Sequence, residues 1–86
     1  MAVVQYRNEI RQQDISRRMF APKKVTEIDA WFKAARSVIP EIPNPKDTDW
    51  SIFNHSASPD YIRFDMFNSI GERCYIIIAR RHPAIG

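Results

Sequence analysis

Residues 61–81, YIRFDMFNSIGERCYIIIARR, alternate in a way that predicts a β-hairpin. Successive side chains along a strand point to opposite sides. With residues 68–72 as the loop and Gly71 free to turn left-handed, antiparallel pairing sets Met66 opposite Cys74, Phe64 opposite Ile76 and Ile62 opposite Ile78. That face is wholly apolar. The other carries Tyr61, Arg63, Asp65 and Phe67 on one strand and Arg73, Tyr75, Ile77 and Ala79 on the next, a mixture of rings, cations and aliphatic groups. It is either a second packed face, covered by an N-terminal helix, or an open binding surface.

A period near 3.6 takes over at residues 27–39. Ile28, Trp31, Phe32, Ala35, Val38 and Ile39 fall within about 120° of arc, a core-facing stripe. Thr26 is placed to cap this helix, with Asp29 completing a T-x-x-D pattern. Glu27 and Asp29 suit the positive end of the helix dipole, and Asp29 and Lys33 form an i,i+4 pair. Pro40 stops the helix by restricting Ile39. Residues 40–49, PEIPNPKDTD, hold three prolines and read as a loop. Residues 50–54 read as a short strand, followed by the turn-rich HSASPD. The hairpin then completes a β-meander over 50–80, with HPAIG as an irregular tail.

The last strand of that meander is apolar on both sides, which suits an interior strand better than an edge. A fourth strand is therefore expected beside it, and Val3, Val4 and Tyr6 are the candidates. Against this, Val3, Tyr6 and Ile10 share one helical face. That stripe breaks near Gln12, and a short strand followed by a helix at 9–19 reconciles the two signals. The predicted architecture is a single α+β domain over 1–86: a three- or four-stranded antiparallel sheet packed on one main α-helix, 27–39.

Composition sharpens this picture. Eighty-six residues make one domain, and a hydrophobic content of 44% supports a core. The single cysteine, Cys74, excludes an intrachain disulfide and favours a reducing compartment. The longest apolar run is far short of the ~20 residues a membrane span needs, and the N-terminus has no signal-peptide block. The expectation is a soluble, cytoplasmic protein without a membrane role. The net charge of +3 is unevenly spread: +4 over 1–36, −3 over 37–60 and +2 over 61–86. Basic ends around an acidic middle would attract an acidic protein surface or nucleic acid.

No catalytic or cofactor motif stands out. Two glycines exclude a phosphate-binding glycine loop, and His55, His82 and Cys74 have no metal-ligand spacing. No cofactor, metal or small-molecule substrate is expected. Candidate partner-binding residues fall into three groups. The first is the Arg17, Arg18, Lys23 and Lys24 cluster. The second is the Arg80, Arg81 and His82 end. The third is the sheet face of Tyr61, Arg63, Phe67, Arg73 and Tyr75, where bases could stack on rings and guanidinium planes.

The ending YIRFDMF…CYIIIARRHP is similar to the last strands of RelE/ParE-type toxins, which have helices followed by an antiparallel sheet with basic residues. The resemblance covers about 20 residues, carries over no catalytic residue, and departs from the family at the proline-rich loop. It implies a basic ribonuclease in which Arg63, Arg80 and His82 would converge. A compact domain without chemical motifs is also the style of small phage or mobile-element inhibitors. The leading expectation is a non-enzymatic binding or regulatory module, inhibitor- or adaptor-like, acting through a basic surface. A nucleic-acid-binding domain is the first alternative, and the toxin-like ribonuclease is the second.

Overall fold

Ala2, Val4 and Tyr6 alternate with Val3, Gln5 and Arg7, and the N-terminus builds a strand from that alternation. In the computed structural model, which describes residues 1–80, β1 (Ala2–Asn8) folds back on β2 (Gln13–Met19). The helix α1 (Ile28–Val38) follows, then β3 (Ser51–Ala57), β4 (Tyr61–Phe67) and β5 (Arg73–Ala79). All pairings are antiparallel and the sheet order is β2-β1-β5-β4-β3.

This corrects the predicted architecture. The sheet has five strands rather than three or four, and one short helix lies on it. β5 does gain a neighbour from the N-terminus, with Val4 opposite Ile78 and Tyr6 opposite Ile76. The expected helix at 9–19 is instead the edge strand β2, with a tight loop before it. The physical reason is tertiary. An edge strand with one bare face needs few apolar residues, and Ile15 and Met19 suffice on the covered side. The apparent helical stripe included Ile10, which sits in the loop and is exposed.

Two loops hold the hairpin registers. In the β4–β5 loop, Gly71 has φ 83°, and its N–H donates to Asn68 O at 3.1 Å. The register beyond it pairs Met66 with Cys74, Phe64 with Ile76 and Ile62 with Ile78, as the alternation predicts. In the β1–β2 loop the left-handed position is taken by Gln12, φ 54°, whose N–H donates to Glu9 O at 3.3 Å. A side chain there is uncommon, because the Cβ crowds the backbone. The loops are stapled to each other: Arg11 donates through Nε and an Nη to the two oxygens of Glu72, at 2.7 and 3.0 Å. Asn68 Nδ2 donates to Glu72 Oε1 at 2.8 Å. These donors hold the Glu72 carboxyl below its usual pKa, the Arg11 hydrogen bond foremost.

α1 covers one face of the sheet. Trp31, Phe32 and Ala35 are buried there, and Phe32 meets Phe64 edge-on at 5.1 Å. Ile39, Ile42 and Trp50 from the following loop extend the same core, together with Val4, Tyr6, Ile62, Met66, Cys74, Ile76 and Ile78. The helix begins one residue later and ends one earlier than expected. Glu27 occupies the N-cap without a side-chain bond, so Thr26 is not the cap. The entry is fixed instead by Trp31 Nε1 donating to Val25 O at 2.7 Å. At the other end Arg17 donates to Val38 O at 2.8 Å, supplying a partner to a terminal carbonyl. β3 runs three residues beyond the predicted strand, and the turn moves to Ser58, whose N–H donates to Tyr61 O at 2.8 Å. Among the described residues no helix is long and apolar enough to cross a membrane.

Candidate functional site

Every strand has a second face, and among the described residues nothing packs on it. The registers lay its side chains out in rows. Arg18, Val3, Ala79 and Tyr61 form the first row, and Ser16, Gln5, Ile77, Arg63 and Ser56 the second. Asp14, Arg7, Tyr75, Asp65 and Asn54 form the third, and Arg73, Phe67 and Ser51 the last.

A bulge in β3 adds one residue to this face. The pairing shifts between Ile52 and Asn54, leaving Phe53 as the extra residue. Asn54 consequently joins the open side and donates to Asp65 at 3.5 Å. Phe53 packs edge-on against Phe67, with centroids 5.6 Å apart. The Arg73 guanidinium lies 5.5 Å from the Phe53 centroid. Phe53 is 50% exposed, Tyr61 49% and Phe67 42%. These are large rings left at a surface.

The charges on this face are partly paired. Arg63 grips Asp65 through Nε and an Nη at 3.0–3.2 Å, and its guanidinium stacks 4.6 Å from the Tyr75 ring centroid. The hydrogen bond to Asp65 raises the Arg63 pKa. Arg7 sits across from Asp14 and Tyr75, and the Tyr75 side chain is the first cause of its raised pKa. Arg18 and Arg73 have no carboxylate within ion-pair distance among the described residues.

The sequence-predicted site residues divide between places. Tyr61, Arg63, Phe67, Arg73 and Tyr75 do share one face, and that face is open rather than covered by an N-terminal helix. Arg17 and Arg18 part company, because consecutive strand residues point oppositely: Arg17 serves the helix end and Arg18 joins the open face. Lys23 and Lys24 lie in the exposed loop before α1, where Lys24 pairs with Glu27 at 3.6 Å. Arg80 turns to the helix side, its guanidinium 5.6 Å from the Trp31 ring. Arg63 and Arg80 therefore do not converge. Arg81 and His82 lie outside the described residues.

Sequence reasoning missed two contributors. Arg7 was legible from its alternation with Tyr6, once residues 2–8 are accepted as a strand. Phe53 was legible as the residue opposite in sense to Ile52, but a strand ended at Asn54 gave it no company. Cys74 is buried against Tyr6, and burial pushes its thiol up to about 12. Among the described residues, no group of three or more His, Cys, Asp or Glu side chains is placed to hold a metal ion. The clefts on the helix side are shallow; one of about 490 Å³ lies between α1 and the proline-rich loop, lined by Phe32, Lys33, Arg36 and Lys46.

No protein-family model matches the chain, and no curated protein or solved structure matches it either.

Proposed function

We propose that the protein is a non-enzymatic binding or regulatory module that engages a macromolecular partner through the open face of its sheet. The observation that carries this is the union of exposed rings with arginines on a rigid, five-stranded platform. Tyrosine, phenylalanine and arginine dominate recognition surfaces because they combine large contact area with directed polar groups. The strands beneath are fixed by a core on the other side, so the surface is preorganised and its ordering entropy is already met by folding. The partner presents negative charge, as an acidic protein surface or a nucleic acid, and binding weakens as salt screens the arginines. A reducing, cytoplasmic setting fits a chain whose one cysteine is a buried thiol.

Photo-cross-linking tests this reading. A photoreactive side chain placed at Phe67 or Tyr61 should capture the partner in source cells. The same group at Lys33, on the exposed side of α1, should not. Capture from Lys33 with silence from both sheet positions would move the interface to the helix. Charge reversal at Arg18 and Arg73 should weaken the capture.

A further inference from the structure

We infer that the open face binds single-stranded nucleic acid, with bases stacked on Phe53, Phe67 and Tyr75 and phosphates held by Arg18 and Arg73. This rests on the reading of that face as the recognition surface and narrows its partner. Three observations favour it.

First, two of the rings are already stacked with guanidinium groups, Arg63 on Tyr75 and Arg73 beside Phe53. A base offers the same flat π surface to a ring or to a guanidinium plane. Second, the rings do not merge into one apolar patch: Phe53 and Phe67 pair at the last row, Tyr75 lies in the third row and Tyr61 in the first, with Arg63 and Asp65 between. Tyr61 and Phe67 end the same strand, six residues and about 20 Å apart. Open sheets stack two or three bases on such rings, here Phe67 with Phe53 and Tyr75, and Tyr61 marks the far end of the face. Between and around the rings lie Ser51, Asn54, Ser56, Gln5 and Ser16, which can meet base edges or sugar hydroxyls. A protein hot spot instead sits inside a ring of contacts that excludes water. Third, the arginines that have no carboxylate partner among the described residues, Arg18 and Arg73, lie in the first and last rows, so a strand crossing the face would meet a cation at each end. A duplex has its π faces inside the stack, so this chemistry favours single strands.

The test is an amide-resolved NMR titration of the full chain with a short oligouridylate and a short oligothymidylate, against a duplex of equal length. Shifts should concentrate in β4, β5 and Phe53. Log affinity against log salt should fall with a slope of about −1.4 if Arg18 and Arg73 each neutralise one phosphate. Replacing Phe53 and Phe67 together by Leu keeps apolar bulk and removes the π faces. It should weaken single-strand binding by about tenfold or more while the spectrum stays folded. Tyr75→Leu supplies a second, independent stacking variant. Equal affinity for duplex, or indifference to all ring replacements, overturns stacking. No binding to any oligonucleotide, with a protein cross-linked from Phe67, overturns the nucleic-acid assignment and leaves the open-face reading standing. No binding and no capture from the sheet positions overturns both.

Discussion

β4 contributes to both sides of the molecule, and its two sides have little in common. Ile62, Phe64 and Met66 are buried under α1, while Tyr61, Arg63, Asp65 and Phe67 look the other way at surface or half-buried positions. On the covered side the side chains are interchangeable in kind: apolar, close-packed, touching one another. On the open side they are individuals: Arg63 is held by Asp65 and Tyr75, Phe67 by Phe53, and Tyr61 stands exposed. The difference shows how a chain this short separates stability from recognition. The two-residue period assigns alternate positions to each task, so altering one set leaves the other in place.

The sharpest way to break that comparison is to delete one ring from each side. Trp31→Ala or Phe64→Ala should destabilise by about 3–5 kcal/mol, enough to unfold a small domain. Phe67→Ala, with its ring already 42% exposed, should cost about 1 kcal/mol or less. Urea denaturation checks both; comparable losses would mean the open face is also core.

A thiol reports the same contrast. Cys74 should label slowly in the native protein, since it is buried and its thiol is pushed up to about 12. The double change Cys74→Ala with Arg73→Cys, one residue away on the open face, should label quickly. Fast labelling of native Cys74 would reverse the assigned faces.

Glu72 joins the two hairpins, and acid tests it. Its folded-state pKa lies below the ordinary value of 4.5, mainly through Arg11 and then Asn68. The stability it contributes is complete above that ordinary value and is lost as pH falls through the folded-state value. Glu72→Gln should therefore be less stable at neutral pH and flatten the acid limb of a stability-against-pH curve. An unchanged limb would assign the acid loss to another carboxylate, with Asp49, whose pKa the Ser69 hydrogen bond lowers, next in line.

The smallest effects come from the loops that keep both faces in register. Gly71→Ala forces a Cβ into a left-handed position and should cost about 1–2 kcal/mol. Gln12→Gly relieves the same conformation and should stabilise, by about 1 kcal/mol or less. Thermal melts would show the opposite signs. A destabilised Gln12→Gly would mean the side chain has a role that its backbone conceals.

The parts legible in the sequence were those with dense, unbroken periodicity. The α1 stripe, the β4–β5 register and the left-handed Gly71 all belong to segments where every apolar residue has one consistent direction. The N-terminal hairpin was not legible because its turn has no glycine or proline to mark it; Gln12 turns the chain instead. β2 reads QDISRRM, and its strand character depends on β1 beside it rather than on propensity. That error carried into the site. Whether the Tyr61–Tyr75 face is open depends on what the first nineteen residues do, and a helix there would have covered it. Alternation puts Phe53 on the open side but would turn Asn54 under the helix; the bulge that keeps Asn54 beside Asp65 is a feature of pairing that a single strand does not announce.

The pairing of β1 with β5 sets the order of assembly. β1 and β2 can zip locally, as can β3, β4 and β5, but the seam between these halves joins the first strand to the last. Closing it requires a long loop, and the entropy of that closure makes it the step expected to come slowest and last. Until it closes, β5 is an edge whose run Cys74–Ala79, CYIIIA, carries no charge and no proline to repel another chain. β1 is thus a gatekeeper as well as a structural strand. A variant that weakens the seam, such as Val4→Thr, should lose refolding yield as protein concentration rises. The loss should exceed that of an equally destabilised α1 variant such as Ala35→Gly, because only the seam variant prolongs the life of the bare edge.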